Sequence, residues 1–486
     1  MKPGSLEKAG LAVIAAALAA GAVLDVFLPA ACGVAAALVL VLVVGSSFRT
    51  MLAALLLQIL VTAGQLDAVK AALGIPMVGP DEILLLWSVF LWAVALADGR
   101  ASPAGAGFMG VLVTAFLALS LVAAARGIAA GYPRSNVVSL TRTFMLYSMY
   151  FPALWLFSGE DRFETFWKAV LAVSVVAGTL FFLKGLTGSG EGVQYLYSSG
   201  LRIGSRQPNA FAVILLILLS RLWLSPRRPP LLMALPVAVL MGACLVLSST
   251  RALWGGVAVA VSSAWILALF RKGGVPGGIG RHVTLLTVTA LTALAAITAV
   301  SAAGIISTSQ MANRIESGGA YSIPIDIGLL SRLISWATIL DGAGPAELLA
   351  GRGTGAEITY YKPEFGEIWS MSFVDGSFWQ LLLDMGIVGA ALLAALYGTA
   401  LLQSARLFLS TTDIERAARA MGVFCSLILL LVASMMGSLL TNYNYVALWA
   451  VLLAILQVER NRERKAGAPG GGASDRPVGP GYSPPL

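Results

Sequence analysis

Histidine is almost missing from this 486-residue chain, which has His282 and no other. Histidine catalysis is excluded wherever His282 cannot reach, and so is a metal held by a histidine cluster. Cysteine is nearly as scarce. Cys32, Cys244 and Cys425 all fall inside apolar runs and spell neither a disulfide framework nor a thiolate metal site, so they read as small core residues. No Asp-x-Asp occurs, and with it goes the usual signature of a metal-bound sugar nucleotide. Charge is also sparse, at 12% of residues against 58% hydrophobic, with a mean hydropathy of +0.86. That balance excludes a soluble fold. The net charge of +8 forms no basic stripe interleaved with aromatics, which argues against nucleic acid and leaves topology as its meaning.

What the chain has in abundance is apolar runs. They fall near residues 9–28, 30–45, 50–65, 82–97, 106–125, 138–158, 165–185, 208–224, 231–248, 252–270, 283–304, 377–403, 418–437 and 441–458. The expected fold is an all-α, polytopic helical membrane protein of about fourteen spans, twelve at the fewest. Lys2 and Lys8 precede the first run, which reads as a span because others follow it directly. The short second run either crosses or pairs with the first as a re-entrant hairpin. No internal repeat is found.

Sidedness follows from lysine and arginine. With the N-terminus inside, 20 of the 32 basic residues fall on the inner side and 12 on the outer, which places both termini in the cytoplasm. The expected organisation is N-terminal spans over 1–200, a core over 201–403 that includes an outer loop at 306–376, C-terminal spans over 404–460, and a tail over 461–486. That tail is rich in glycine and proline and is expected to be disordered.

The outer loop is the longest polar stretch. It carries Arg314, Arg332, Arg352, Glu357, Glu364, Glu367 and Asp375, a load that cannot lie in lipid. Short outer segments normally lack arginine, yet Arg202 and Arg206 precede Gln207-Pro208-Asn209 at the mouth of one span, with Pro208 at a first-turn position. Arg251 ends a short Ser249-Thr250-Arg251 turn. Arg332 and Trp336 fall on an amphipathic helix expected over 327–341 along the outer surface. Guanidinium groups gathered at headgroup depth with few carboxylates suit a phosphate-bearing lipid, since their planar forks match phosphate oxygens; snorkelling anchors are the plainer alternative. Asp375 stands where the loop re-enters the membrane, as a base for an attacking hydroxyl or as the cap of the next span. Glu357, Glu364 and Glu367 are lesser candidates for the base. Tyr360, Tyr361, Trp369, Phe378 and Trp379 suit stacking on sugar rings or anchoring at the interface. Gly351-Arg352-Gly353-Thr354-Gly355 has no Gly-Lys-Ser/Thr ending and reads as a turn. His282, beside Arg281 on the inner side, cannot serve this site.

In this order, Arg206 with Pro208-Asn209, Ser249-Thr250-Arg251 with Gly255, Arg332 with Trp336, the glycine-rich turn, and Asp375-Gly376-Ser377-Phe378 leading to Asp384-Met385-Gly386 resemble the O-antigen ligase and polymerase superfamily. The likeness covers about residues 200–402 of this chain. It implies a GT-C-like membrane glycosyltransferase fold, a polyprenyl-pyrophosphate-linked glycan donor in the outer leaflet, and metal-independent transfer to an acceptor hydroxyl without a cofactor. It puts Arg251 and Arg332 where the family binds pyrophosphate and Arg206 in the supporting basic region. Ligases of the superfamily carry histidine where this chain has Asp375, which shifts weight to the polymerase branch. Related cell-wall glycan polymerases place an aspartate in a corresponding outer loop.

The expected function is therefore a polysaccharide polymerase of the cytoplasmic membrane, joining glycan from one polyprenyl pyrophosphate to a hydroxyl of another lipid-linked repeat unit. The alternatives are a ligase moving finished glycan to a lipid core or a protein, and a transporter or lipid flippase. Expected partners are the lipid-linked glycan, the acceptor, the bilayer and a chain-length regulator. Arg251, Arg332 and Asp375 are the expected reacting groups, with Arg202, Arg206, Asn209, Arg352, Trp336, Tyr360, Tyr361 and Trp379 around the substrate.

Overall fold

The structure is a computed structural model that describes residues 50–52, 55–56, 80–99, 101–158, 161–188, 193–196, 200–203, 207–225, 231–271, 278–303, 327–363, 366–441 and 443–466. Over these residues the chain runs α1 (Pro80–Ala97), α2 (Gly107–Ala129), α3 (Arg134–Met145), α4 (Tyr150–Leu156), α5 (Asp161–Thr187), β1 (Val193–Leu196), β2 (Gly200–Ile203), α6 (Gln207–Leu224), α7 (Leu231–Ser248), α8 (Arg251–Leu269) and α9 (Gly278–Ala302). It continues through α10 (Ile327–Asp341), α11 (Pro345–Ala350), β3 (Ile358–Lys362), β4 (Glu367–Met371), α12 (Ser377–Ser410), α13 (Ile414–Met436) and α14 (Tyr443–Ala466). The protein is mostly helical, and α2, α5, α6, α8, α12 and α13 are long and apolar enough to cross a membrane. Shorter apolar helices lie within α1, α7 and α9. The expected runs at 9–28 and 30–45, most of the run at 50–65, Arg314, Glu364 and the tail beyond residue 466 lie outside the described residues.

Three expectations need correction. The tail expected to be disordered from residue 461 is helical as far as Ala466, the end of α14. The apolar run 138–158 is not one helix: α3 gives way to a 3-10 turn at Leu146–Met149 before α4 begins. Pro152, inside α4, lacks the N–H that would close on the Ser148 carbonyl, so that carbonyl of the turn has no α-helical partner. The outer loop holds a β-hairpin as well as short helices. Ile358-Thr-Tyr-Tyr-Lys362 is β-branched and aromatic and pairs antiparallel with β4, Tyr360 opposite Trp369 and Tyr361 opposite Ile368. The helix expected over 327–341 is present as α10.

Inside a bilayer, helices associate by close packing because lipid tails compete for apolar contacts. α8 shows how. Gly256, Ala260, Ala264 and Ala268 recur every fourth residue and are all buried. Against this stripe runs α13, where Leu429 meets Gly256 and Cys425 meets the Ala260 carbonyl. These pairings are antiparallel, so Arg251 at the start of α8 lies level with about Ser434. α6 is also antiparallel to α13, with Ile217 against Gly422 and Ser225 donating to Glu415. The first turns of α6, α8 and α12 therefore share one end of the bundle with the last turn of α13.

The opposite end collects the basic residues expected inside. Glu459 on α14, its side chain 3% exposed, receives Arg416, Arg419 and Arg462 at 3.2, 3.2 and 3.0 Å. Arg221 pairs with Glu164 at 3.0 Å, and Arg271 donates to the Thr411 carbonyl at 3.0 Å. The start of α13 is capped by Asp413, whose carboxylate accepts from Glu415 N–H and Arg416 N–H.

Candidate active site

α12 is two helices joined at Gly386, whose φ of 68° and ψ of −164° break the helical path. A Cβ at Gly386 would run into the Leu349 carbonyl, and one at Gly351 would run into the Met385 nitrogen. The glycine-rich turn thus threads between the kink and α2, where a Cβ on Gly127 would collide with the Thr354 oxygen. Its N–H groups are engaged within the protein: Gly351 on Glu347, Arg352 on Leu383, Gly353 on Asp384 and Thr354 on Ala123. This is a packed turn rather than a phosphate cradle, as expected. Arg126 of α2 completes it by donating to the carbonyls of Ala350 and Gly351.

The turn, α10 and the hairpin together support the start of α12. Arg332 and Trp336 stand one turn apart on α10 and so share a face. Arg332 Nε donates to Asp375 Oδ2 at 3.2 Å, while Trp336 Nε1 donates to the Asp375 carbonyl at 2.7 Å. Trp336 also stacks on Trp379, with ring centroids 5.1 Å apart and planes 12° from parallel. Both charged groups remain open to solvent, Arg332 at 35% and Asp375 at 50% of side-chain exposure. A pair this exposed adds about 0–1 kcal/mol to stability, which leaves both groups available to a ligand. Asp375 does not cap α12: the cap position is Gly376, with φ 95° and no side-chain cap.

The remaining expected residues divide clearly. Arg251 opens α8 at the same end of the bundle, where the Met435 carbonyl lies against Gly376. Asn209 is half-buried in the first turn of α6, and Pro208 occupies that turn as expected. Arg202 falls in β2, in register with Gln194, and Arg206 lies outside the described residues. Arg352 is not brought to Asp375. Its Nε pairs with Glu347 at 3.2 Å, and its guanidinium approaches Gly342 at the end of α10, a favourable place for a cation near helix carbonyls. Strand alternation separates the two tyrosines: Tyr360 packs against the cluster formed by Ile339, Ala356, Ile358, Val374 and Leu383, while Tyr361 points outward at 51% exposure. Glu357 accepts from Asn136 at 2.9 Å and from Ser370 at 3.2 Å, away from Asp375. Glu367 lies opposite Lys362 in the hairpin. Among the described residues, no three His, Cys, Asp or Glu side chains gather as a metal site would need.

No protein-family model and no curated protein matches this chain. The chemistry of the site has to be read from its own groups. Sequence reading gave no role to Arg126, Gln380 or Asp384, although Asp384 stands in the motif that carries the resemblance. The last two are a polar pair one turn apart at the start of an apolar run, and an ionisable group there is a functional flag by default.

The assembled groups can accept a proton at Asp375, hold an anion at Arg332, and offer a flat apolar wall at Trp336 and Trp379. The wall suits the apolar face of a ring such as a sugar.

Proposed function

We propose that the protein is a polysaccharide polymerase of the cytoplasmic membrane, of the O-antigen ligase and polymerase kind, with the Arg332 end of the bundle outside. The observation that carries this reading is the Arg332–Asp375 pair at 3.2 Å, open to solvent beside two stacked tryptophans. In this reading Asp375 takes the proton of an acceptor hydroxyl as its oxygen attacks the anomeric carbon of the donor. The bond from that carbon to the pyrophosphate oxygen breaks, and the electron pair leaves with the diphosphate. Arg332 faces that developing charge with the fork not engaged by Asp375, and Arg251 adds a second cation at the same end of the bundle. Attack in one displacement inverts the anomeric configuration. Asn209, Arg202 and Arg206 fall at the mouth of α6, within the segment expected to hold substrate.

The test is to replace Arg251 or Arg332 by Ala and to follow the length of lipid-linked glycan. The variants should stay folded in membranes and lose transfer by about 100–1000-fold, the typical loss for one charge-stabilising donor. Normal chain lengths would refute the assignment. Purified protein given the lipid-linked donor alone should make longer lipid-linked products; product that forms only with a second acceptor would indicate a ligase. Transfer should proceed without a membrane potential, which a transporter would not explain.

A further inference from the structure

Residues 372–376, between β4 and α12, are neither helix nor strand, yet Val374 is 2% exposed. Buried backbone polar groups need partners, and Val374 obtains both from side chains. Its N–H donates to Gln380 Oε1 at 2.7 Å, and its carbonyl accepts from Ser438 Oγ at 2.8 Å. The Gln380 amide nitrogen donates to the Ser372 carbonyl at 3.2 Å and to Asp384 Oδ2 at 2.9 Å. Gln380 and Asp384 are fully buried.

An amide can sit either way round, and its neighbours decide which. The Val374 N–H can only donate and the Ser372 carbonyl can only accept, so the Gln380 oxygen turns to Val374 and its nitrogen to Ser372 and Asp384. Reversed, the amide would set its oxygen against the Ser372 carbonyl and its nitrogen against the Val374 N–H. Asp384 is itself tied to the glycine-rich turn, because its carbonyl accepts from Gly353 at 3.1 Å. The tie runs from the turn through Asp384 and Gln380 to the residue immediately before Asp375.

We propose that Gln380 and Asp384 are positioning residues for Asp375, a clamp that holds residues 372–374 so that the Asp375 carboxylate meets Arg332. The catalytic part of this inference rests on the glycan-transfer reading; the clamp itself does not. The experiment uses the full chain in lipid nanodiscs, with Gln380→Leu, Gln380→Glu and Asp384→Leu. Backbone hydrogen exchange over 372–376 and donor turnover are both measured. Gln380→Leu should speed exchange about tenfold or more and lower kcat by roughly 10–100-fold with KM nearly unchanged, as a misplaced reacting group does. Gln380→Glu keeps the acceptor for the Val374 N–H but sets an oxygen against the Ser372 carbonyl, and Asp384→Leu removes the acceptor of the Gln380 nitrogen, so both should move exchange and kcat in the same direction. Gln380→Glu keeps the shape of the side chain, so the test survives if Gln380→Leu fails to fold. Unchanged exchange over 372–376 in Gln380→Leu, or in Gln380→Glu where the leucine variant does not fold, would overturn the clamp. Wild-type protein that transfers no glycan would remove the proposed function, while the exchange data would still decide the clamp.

Discussion

At the scale of single residues, Asp375 separates two roles that a sequence cannot. A capping aspartate stabilises its helix, typically by about 1 kcal/mol, and its removal is felt in stability. Here the cap position is Gly376, and the Asp375 carboxylate goes to Arg332. Asp375→Asn should therefore leave thermal stability within about 1 kcal/mol of wild type, the range for an exposed ion pair. Transfer should still fall by two orders of magnitude or more, to about the level of Arg332→Ala. The double variant should lose little beyond either single one, since groups acting as a unit are not additive. Differential scanning fluorimetry alongside a glycan-transfer assay checks both halves. Arg332 and Trp336 were legible as a pair from their spacing of four on a helix. The partner of Arg332 was not, since Asp375 lies 43 residues away.

At the scale of elements, the clasp between the α12 kink and the glycine-rich turn sets where the site stands. Gly386 combines a left-handed φ of 68° with the Leu349 carbonyl in the space an added Cβ would need. Gly386→Ala should cost roughly 2 kcal/mol or more through strain and overpacking. Gly255 on α8 has no heavy atom within 4 Å of an added Cβ, so Gly255→Ala should be neutral or slightly stabilising, as expected of Gly to Ala in a helix. Equal melting temperatures for the two would contradict this account. The helix over 327–341 could be read from its periodicity. The hairpin was missed because its two strands are only five residues each and lie in a polar loop. The 3-10 turn within 138–158 was missed because hydropathy reports apolar length and not the pattern of backbone hydrogen bonds.

For the whole molecule, the basic residues sort to two ends. At one end Glu459 takes three arginines; at the other, Arg126 and Arg352 brace the turn beneath the Arg332–Asp375 pair. Removing the buried carboxylate takes from Arg419 and Arg462 the acid they share and leaves Arg416 with Asp413, at 3.8 Å, so Glu459→Gln should destabilise by about 3 kcal/mol. The surviving folded protein should keep its turnover per molecule, because the site lies at the opposite end. A specific activity that falls in proportion to stability would argue that the two ends are coupled. Sidedness can be checked with a membrane-impermeant thiol reagent. Tyr361→Cys in right-side-out vesicles should react, and Arg464→Cys only after the vesicles are opened.

Composition and the spacing of apolar residues alone determined that this is a helical membrane protein, because burying or exposing a charge in lipid is too costly to be left to context. They also determined which basic residues share a side, because an apolar run of span length leaves the charges that flank it at opposite ends. Only the tertiary structure decided that Arg332 meets Asp375, that Arg352 turns instead to Glu347, and that Gln380 and Asp384 stand behind the site. Those pairings depend on the kink at Gly386 and on a turn threaded against α2, contacts between segments far apart in the chain that local periodicity does not encode.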